Sequence, residues 1–199
     1  MIGIVDYGAG NLNSVKKAFD FLKRESKILK SAAEFTSINR LVLPGVGSFG
    51  HAMERIRATR LYGPIKAWIE SGRPFLGICL GLHLLFESSE ESERIEGLSV
   101  FKGTCRRFTE KKVPQIGWNN IRFEREINLL RGIRNGEFFY FIHSYYAVPE
   151  EREVAVAASH YGVNYTSIAL RGNVLGIQFH PEKSGPAGLK LLQNWVERC

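Results

Sequence analysis

A three-layer α/β fold, with a central mostly parallel sheet extended by mixed or antiparallel strands, is predicted from three observations. In the first half of the chain, short apolar runs alternate with stretches of helical periodicity. Two of those runs lead into turns rich in glycine and proline. In the second half the helical pattern gives way to short strand-like segments divided by turns.

Residues 2–6 (Ile-Gly-Ile-Val-Asp) have the near-continuous hydrophobicity of a strand buried on both faces. Gly8-Ala9-Gly10-Asn11 follows as a turn. From Asn13 or Ser14, Val15, Ala18, Phe19 and Leu22 recur at helical spacing, with Lys16, Lys17, Lys23 and Arg24 elsewhere. A second strand is expected at 27–30 and a third at 40–43, the latter ending in Pro44-Gly45-Val46-Gly47. Residues 50–71 read as helical, interrupted at Tyr62-Gly63-Pro64, where Pro64 can open a new turn.

Phe75-Leu76-Gly77-Ile78 reads as the next strand, with Cys79 at its end and an apolar helix running on through Leu82, Leu85 and Phe86. Strand and helix in this alternation imply a parallel doubly wound sheet, whose sites lie at the carboxyl ends of the strands. Pro44–Gly47 and Cys79 both stand at such ends, so the fold should bring them together. Segments 98–108, 117–124, 137–148, 153–161, 165–171 and 174–180 read as further strands, and a helix over 186–198 closes the chain. With no internal repeat and no linker, residues 1–199 read as one domain.

The bulk numbers bound the function. The chain has 199 residues, 44% hydrophobic and 24% charged, the composition of a soluble globular protein. No apolar stretch approaches the roughly 20 residues that span a bilayer. The N-terminus lacks the flank and cleavage site of a signal peptide, so a cytoplasmic protein is expected. Cys79, Cys105 and Cys199 are too few and too far apart for a disulfide framework or a zinc site. A net charge of +7 comes from short basic groups such as Lys16-Lys17 and Arg106-Arg107. With no arginine-rich arm and no aromatic-basic run, this points to a solvated surface and a protein partner, not to nucleic acid or a membrane.

Cys79 is the strongest chemical signal. In Gly77-Ile78-Cys79-Leu80-Gly81 it stands between two glycines where a strand turns sharply into a helix, the nucleophile-elbow arrangement with cysteine in place of serine. The amino end of that helix would favour thiolate over thiol. Among the five histidines, His180 is the best base, because it ends an apolar strand and is followed by Pro181-Glu182. In an extended chain residues two apart share a face, which would place Glu182 beside His180 to hold its ring. The Leu80 N–H, next after the nucleophile, is one oxyanion donor. Val46, flanked by Gly45 and Gly47, is the natural second. His143 is read as a substrate contact, whereas His51 and His160 are read as structural or exposed.

These residues resemble the class I glutamine amidotransferases, whose signature is G-x-C-x-G followed about a hundred residues later by H-P-E. Within that family the chain is most similar to glutaminase subunits that serve a separate cyclase in histidine biosynthesis. The resemblance rests on Asp6–Asn11, Pro44–Phe49, Gly77–Gly81, Leu84–Glu87, Gly117–Asn119, Phe141–Tyr145 and Gln178–Ser184. It implies a flavodoxin-like topology and hydrolysis of glutamine through a Cys79 thioester, with no cofactor and no metal. The ammonia would pass to a (β/α)8-barrel cyclase partner in a heterodimer. Also by resemblance, Gly47, Glu91, His143, Ser144 and Tyr145 would contact glutamine, and Asn11, Trp118 and Lys183 would lie at the partner face. A flip of the Val46 peptide would let the partner switch the glutaminase on. One position departs from the pattern: His83 stands where the family has glutamine, one turn after the nucleophile, and it would contact glutamine in that role. Glutaminases of pyridoxal phosphate or purine synthesis are the alternatives, opposed by the Pro44–Phe49 and Gly117–Asn119 runs. A non-catalytic relative is opposed by the intact Cys79, His180 and Glu182.

Overall fold

The first strand, β1 (Ile2–Val5), is buried along its whole length and pairs in parallel with both β2 (Ser26–Leu29) and β3 (Arg40–Gly45). The structure is a computed structural model that describes residues 1–198. Cys199 lies outside the described residues.

Helix α1 (Leu12–Phe21) links β1 to β2, and α2 (Phe49–Ala58) and α3 (Tyr62–Glu70) follow β3. Next come β4 (Phe75–Cys79), the short helix α4 (Leu80–His83), β5 (Phe86–Ser89), β6 (Phe101–Arg107), β7 (Gln115–Asn120) and β8 (Arg122–Phe123). The chain ends with β9 (Phe138–His143), β10 (Tyr145–Pro149), β11 (Ala155–Tyr161), β12 (Val163–Arg171), β13 (Val174–Ile177) and α5 (Gly185–Arg198). The main sheet runs β2-β1-β3-β4-β13-β12-β10-β6-β5, with β11 and β8 branching from β12. From β2 to β13 neighbours are parallel; β12 and β10 then run antiparallel to theirs. A separate antiparallel pair, β7–β9, stands beside the main sheet.

The three layers follow from alternation along the buried strands. In β3, Leu41 and Leu43 face one apolar cluster with Met53 and Ile56 of α2 and Ile65 and Trp68 of α3. Val42 faces the other, with Phe19 of α1 and Leu192 and Trp195 of α5. Among the described residues no helix is long and apolar enough to cross a membrane.

Two sequence expectations are corrected. The helix after Cys79 does not run through Leu85 and Phe86; α4 is a single turn. The Leu84 carbonyl that would continue it accepts instead from Leu98 N–H at 2.7 Å, and that of Leu85 from Val100 and Phe101 N–H at 2.8 and 2.9 Å. Phe86 then enters β5 in parallel register with Phe101. Likewise the strand expected over 174–180 stops at Ile177, and His180 lies beyond it. The His180 N–H turns to the Tyr140 carbonyl of β9 at 2.9 Å, which draws the chain off the main sheet.

Candidate active site

Cys79 closes β4, and its backbone sits at φ 54°, ψ −106°, a conformation that costs a non-glycine residue about 1–3 kcal/mol. The two flanking glycines permit it. A Cβ on Gly77 would lie 2.5 Å from the Gly81 carbonyl oxygen, and one on Gly81 would collide with the Leu43 carbonyl oxygen. The side chain is 6% exposed; its Sγ–H donates to the Ile142 carbonyl at 3.7 Å, and its sulfur accepts from Gln178 Nε2 at 4.0 Å. With α4 reduced to one turn, Cys79 does not stand at the amino end of a long helix, as the sequence suggested.

His180, 3% exposed, donates through Nδ1–H to Glu182 Oε1 at 2.8 Å, and the Glu182 side chain is 1% exposed. The pairing expected from sequence is present, but its local cause differs. His180 precedes the 3₁₀ turn Pro181–Lys183, and that turn, not an extended strand, carries Glu182 back beside the ring. Among the described residues His180 Nε2 has no well-directed hydrogen bond. Burial alone would disfavour the imidazolium; the neighbouring Cys79 and Glu182 outweigh it and lift the His180 pKa to about 10. By accepting from Nδ1–H, Glu182 fixes the ring tautomer that leaves Nε2 free of its own proton when His180 is neutral.

Both open onto a pocket of about 190 Å³. Val46 and Gly47 line it from the end of β3, and Leu80 and His83 from α4. Glu91 lines it from the turn after β5, and Ile142, His143 and Tyr145 from β9 and β10. Gly45 is in register with Cys79 across β3 and β4, which sets the Val46 peptide beside Cys79. Gly47 holds φ +95°, so the loop there is conformationally special, as its composition suggested. A larger groove of about 710 Å³ under Phe123–Ile133 lies away from this chemistry.

With that geometry in view, the likenesses of the chain become informative. The family profile described as glutamine amidotransferase class-I matches residues 3–199. The chain belongs to the class I glutamine amidotransferases. A relative from Caldanaerobacter subterraneus, named imidazole glycerol phosphate synthase subunit HisH, is 44% identical over 99% of this chain and 98% of its own. Another of that name from Methanocaldococcus jannaschii is 42% identical, covering 99% of each chain. Among solved structures, one titled glutamine amidotransferase aligns with a TM-score of 0.79 at 19% identity, over 98% of this chain and 97% of that one. PurLQS from Thermotoga maritima aligns at 0.77, also at 19% identity, over 98% of this chain and 96% of that one. These two likenesses establish the amidotransferase fold.

The pocket of this class I amidotransferase gathers most residues singled out in the sequence. Gly47, His83, Glu91, His143 and Tyr145 all line it. Ser144 is the exception: it is not among the lining residues, and its carbonyl accepts from Phe108 N–H at 3.1 Å. Glu91 has a second engagement, since its Oε2 accepts from Phe49 N–H at 2.7 Å and anchors the start of α2. His143 donates through Nδ1–H to the Tyr145 carbonyl at 2.7 Å, and its Nε2 is without a partner among the described residues. Burial holds His83 and His143 neutral, at about 4 and about 3. Sequence reasoning missed Gln178 and the Ile142 carbonyl, both of which touch the sulfur. The signal for Gln178 was present: a polar side chain in an otherwise apolar run, and it is fully buried.

Asn11, Trp118 and Lys183 are exposed. Asn11 caps α1, accepting from Ser14 N–H at 3.4 Å. Trp118 belongs to an apolar outer face of β7–β9. Ile116, Trp118, Phe138 and Ile142 are 61%, 57%, 52% and 38% exposed there.

Proposed function

We infer that this chain is the glutaminase subunit of an imidazole glycerol phosphate synthase, hydrolysing glutamine to glutamate and ammonia. The observation that carries the reading is the buried Cys79–His180–Glu182 set on a pocket of amino-acid size. The relatives that bear the synthase name over nearly their full length support the assignment.

In the proposed mechanism the Cys79 thiolate attacks the carboxamide carbon of glutamine. Negative charge develops on the carbonyl oxygen and is met by the N–H groups of Leu80 and Val46. One such donor contributes about 3 kcal/mol to the transition state. Imidazolium His180, held by Glu182, gives its proton to the departing ammonia and leaves a glutamyl thioester on Cys79. Neutral His180 then takes a proton from water, which attacks the thioester and releases glutamate. Gly47, His83, Glu91, His143 and Tyr145 would hold the substrate, with Ser144 contributing from the adjoining turn.

The partner in this proposal is a (β/α)8-barrel cyclase that turns the ammonia into imidazole glycerol phosphate and aminoimidazole carboxamide ribotide. It would dock on the apolar outer face of β7–β9, with Asn11, Trp118 and Lys183 at the contact. This face is wired to the chemistry: the Tyr140 carbonyl holds the His180 N–H, and the Ile142 carbonyl accepts from the Cys79 thiol. Pressure on β9 from a partner would therefore reach both reacting groups, beside the proposed flip of the Val46 peptide.

Acid-quenched reaction mixtures test the mechanism by mass spectrometry of the Cys79 peptide. A peptide heavier by one glutamyl group, absent in His180→Ala, is the expected result. Glutamate release without any glutamyl group on Cys79 would overturn it.

A further inference from the structure

We propose that Gln178 is a positioning residue whose one carboxamide holds the Cys79 sulfur and fixes the His83 ring, leaving His83 to meet the substrate only as an acceptor. The inference rests on the glutaminase reading for its substrate, and on the following geometry for everything else.

Gln178 is fully buried, and its backbone N–H is engaged by the Ser167 carbonyl at 2.9 Å. Its side chain spans the two neighbours: Oε1 lies 2.8 Å from His83 Nε2, and Nε2 lies 4.0 Å from Cys79 Sγ. Chemistry sets the orientation of the amide. A carbonyl oxygen turned toward a thiolate would repel it, whereas an N–H turned toward sulfur is a charge-assisted donor. Oε1 then faces His83 and can only accept, so His83 carries its proton on Nε2. A neutral imidazole has one N–H, which leaves Nδ1 as a bare lone pair.

The His83 ring lines the pocket, and among the described residues Nδ1 has no partner. Burial keeps the ring neutral, which holds this tautomer through the working pH range. The consequence is a selectivity that a glutamine at position 83 would not impose. A carboxamide can rotate to offer either a donor or an acceptor, but the locked imidazole offers an acceptor alone. It therefore selects an N–H donor on the substrate, the carboxamide NH₂ or the α-ammonium of glutamine, and rejects a carboxylate or carbonyl oxygen presented there. A hydrogen bond to the sulfur also stabilises the thiolate from Gln178, while His180 supplies the proton for catalysis.

Two readouts without glutamine or partner test this. In ¹⁵N-histidine NMR of the wild-type chain, His83 is expected as the Nε2–H tautomer; an Nδ1–H tautomer would overturn the assignment. The second readout is the pH profile of Cys79 alkylation by iodoacetamide, followed on the Cys79 peptide so that Cys105 does not contribute. The other titratable groups around Cys79 are His180, Glu182, Tyr7, His83 and His143. Gln178→Met removes none of these groups and should move the midpoint up by about one pH unit, a tenfold slower reaction below it. Should that variant fail to fold, Gln178→Glu keeps the acceptor toward His83 and removes the donor toward sulfur. It should retain the Nε2–H tautomer and show a larger upward shift. An unmoved midpoint in a folded variant overturns the proposal. Because glutamate release by wild type and its loss in Cys79→Ala are measured separately, either reading can fail alone.

Discussion

Replacing Gly77 by alanine puts a methyl carbon against the backbone of the turn that carries Cys79, the proposed nucleophile. The new Cβ would lie 2.5 Å from the Gly81 carbonyl oxygen, 2.7 Å from its carbonyl carbon and 3.0 Å from the Leu82 nitrogen. All three are main-chain atoms of α4, so no side chain can rotate away. Ordinary contact requires roughly 0.5–1 Å of movement between β4 and α4, and overpacking of this kind costs typically about 1–3 kcal/mol. For a chain of this size each kcal/mol lowers Tm by about 2–4 °C, so a fall of about 4–8 °C is expected at mid-range. Activity should fall further than stability. The displaced turn carries Cys79 and Leu80, and a misplacement of about 1 Å can cost 100-fold in rate. Gly63→Ala is the control: it lies inside α3 with nothing within 4 Å of the added carbon, and should be neutral or stabilising by up to about 1 kcal/mol. Calorimetry with a glutamate-release assay on folded protein measures both. A Gly77→Ala variant with wild-type Tm and wild-type rate would refute the close-packed elbow.

Acid stability reports His83. Its pKa falls from about 6.5 unfolded to about 4 folded, so the unfolded chain takes up the proton first as pH drops. That stability is intact above pH 6.5, is lost progressively down to pH 4, and amounts to about 3 kcal/mol. In urea titrations His83→Gln should flatten the pH dependence across that window; an unchanged slope would contradict the buried neutral ring. His180 works with the opposite sign, its raised pKa adding stability that is fully present below pH 6.5 and lost toward pH 10. Glu182→Gln should reduce glutamate release less than Cys79→Ala or His180→Ala, because it removes orientation and not a reacting group; equal losses would assign Glu182 a chemical step. Trp118→Ala should leave Tm within about 1 °C, since the ring is 57% exposed. The same change should weaken cyclase binding about 30-fold, the level of an interface hot spot.

The parallel half of the fold was legible because its strands are buried on both faces and its glycines stand where backbones must pass closely. The α4–β5 corner was not. Leu82, Leu85 and Phe86 have helical spacing, but hydrogen bonds from Leu98, Val100 and Phe101, remote in sequence, take the carbonyls that a helix would use. The candidate site residues were legible as types in a pattern, and the His180–Glu182 contact formed, though a 3₁₀ turn made it. The β7–β9 pair read as strands, but its separation from the main sheet and its exposed apolar face depend on tertiary packing. Gln178 escaped notice because its role lies in two partners far away in the chain, His83 and Cys79.

Glutamate release from glutamine by the purified chain, alone and with a nucleotide-bound (β/α)8-barrel cyclase, tests the account most directly. Slow hydrolysis alone, a large increase with the ligand-bound partner, and no activity in Cys79→Ala under either condition is the predicted result. Undiminished glutamate release by Cys79→Ala would contradict it.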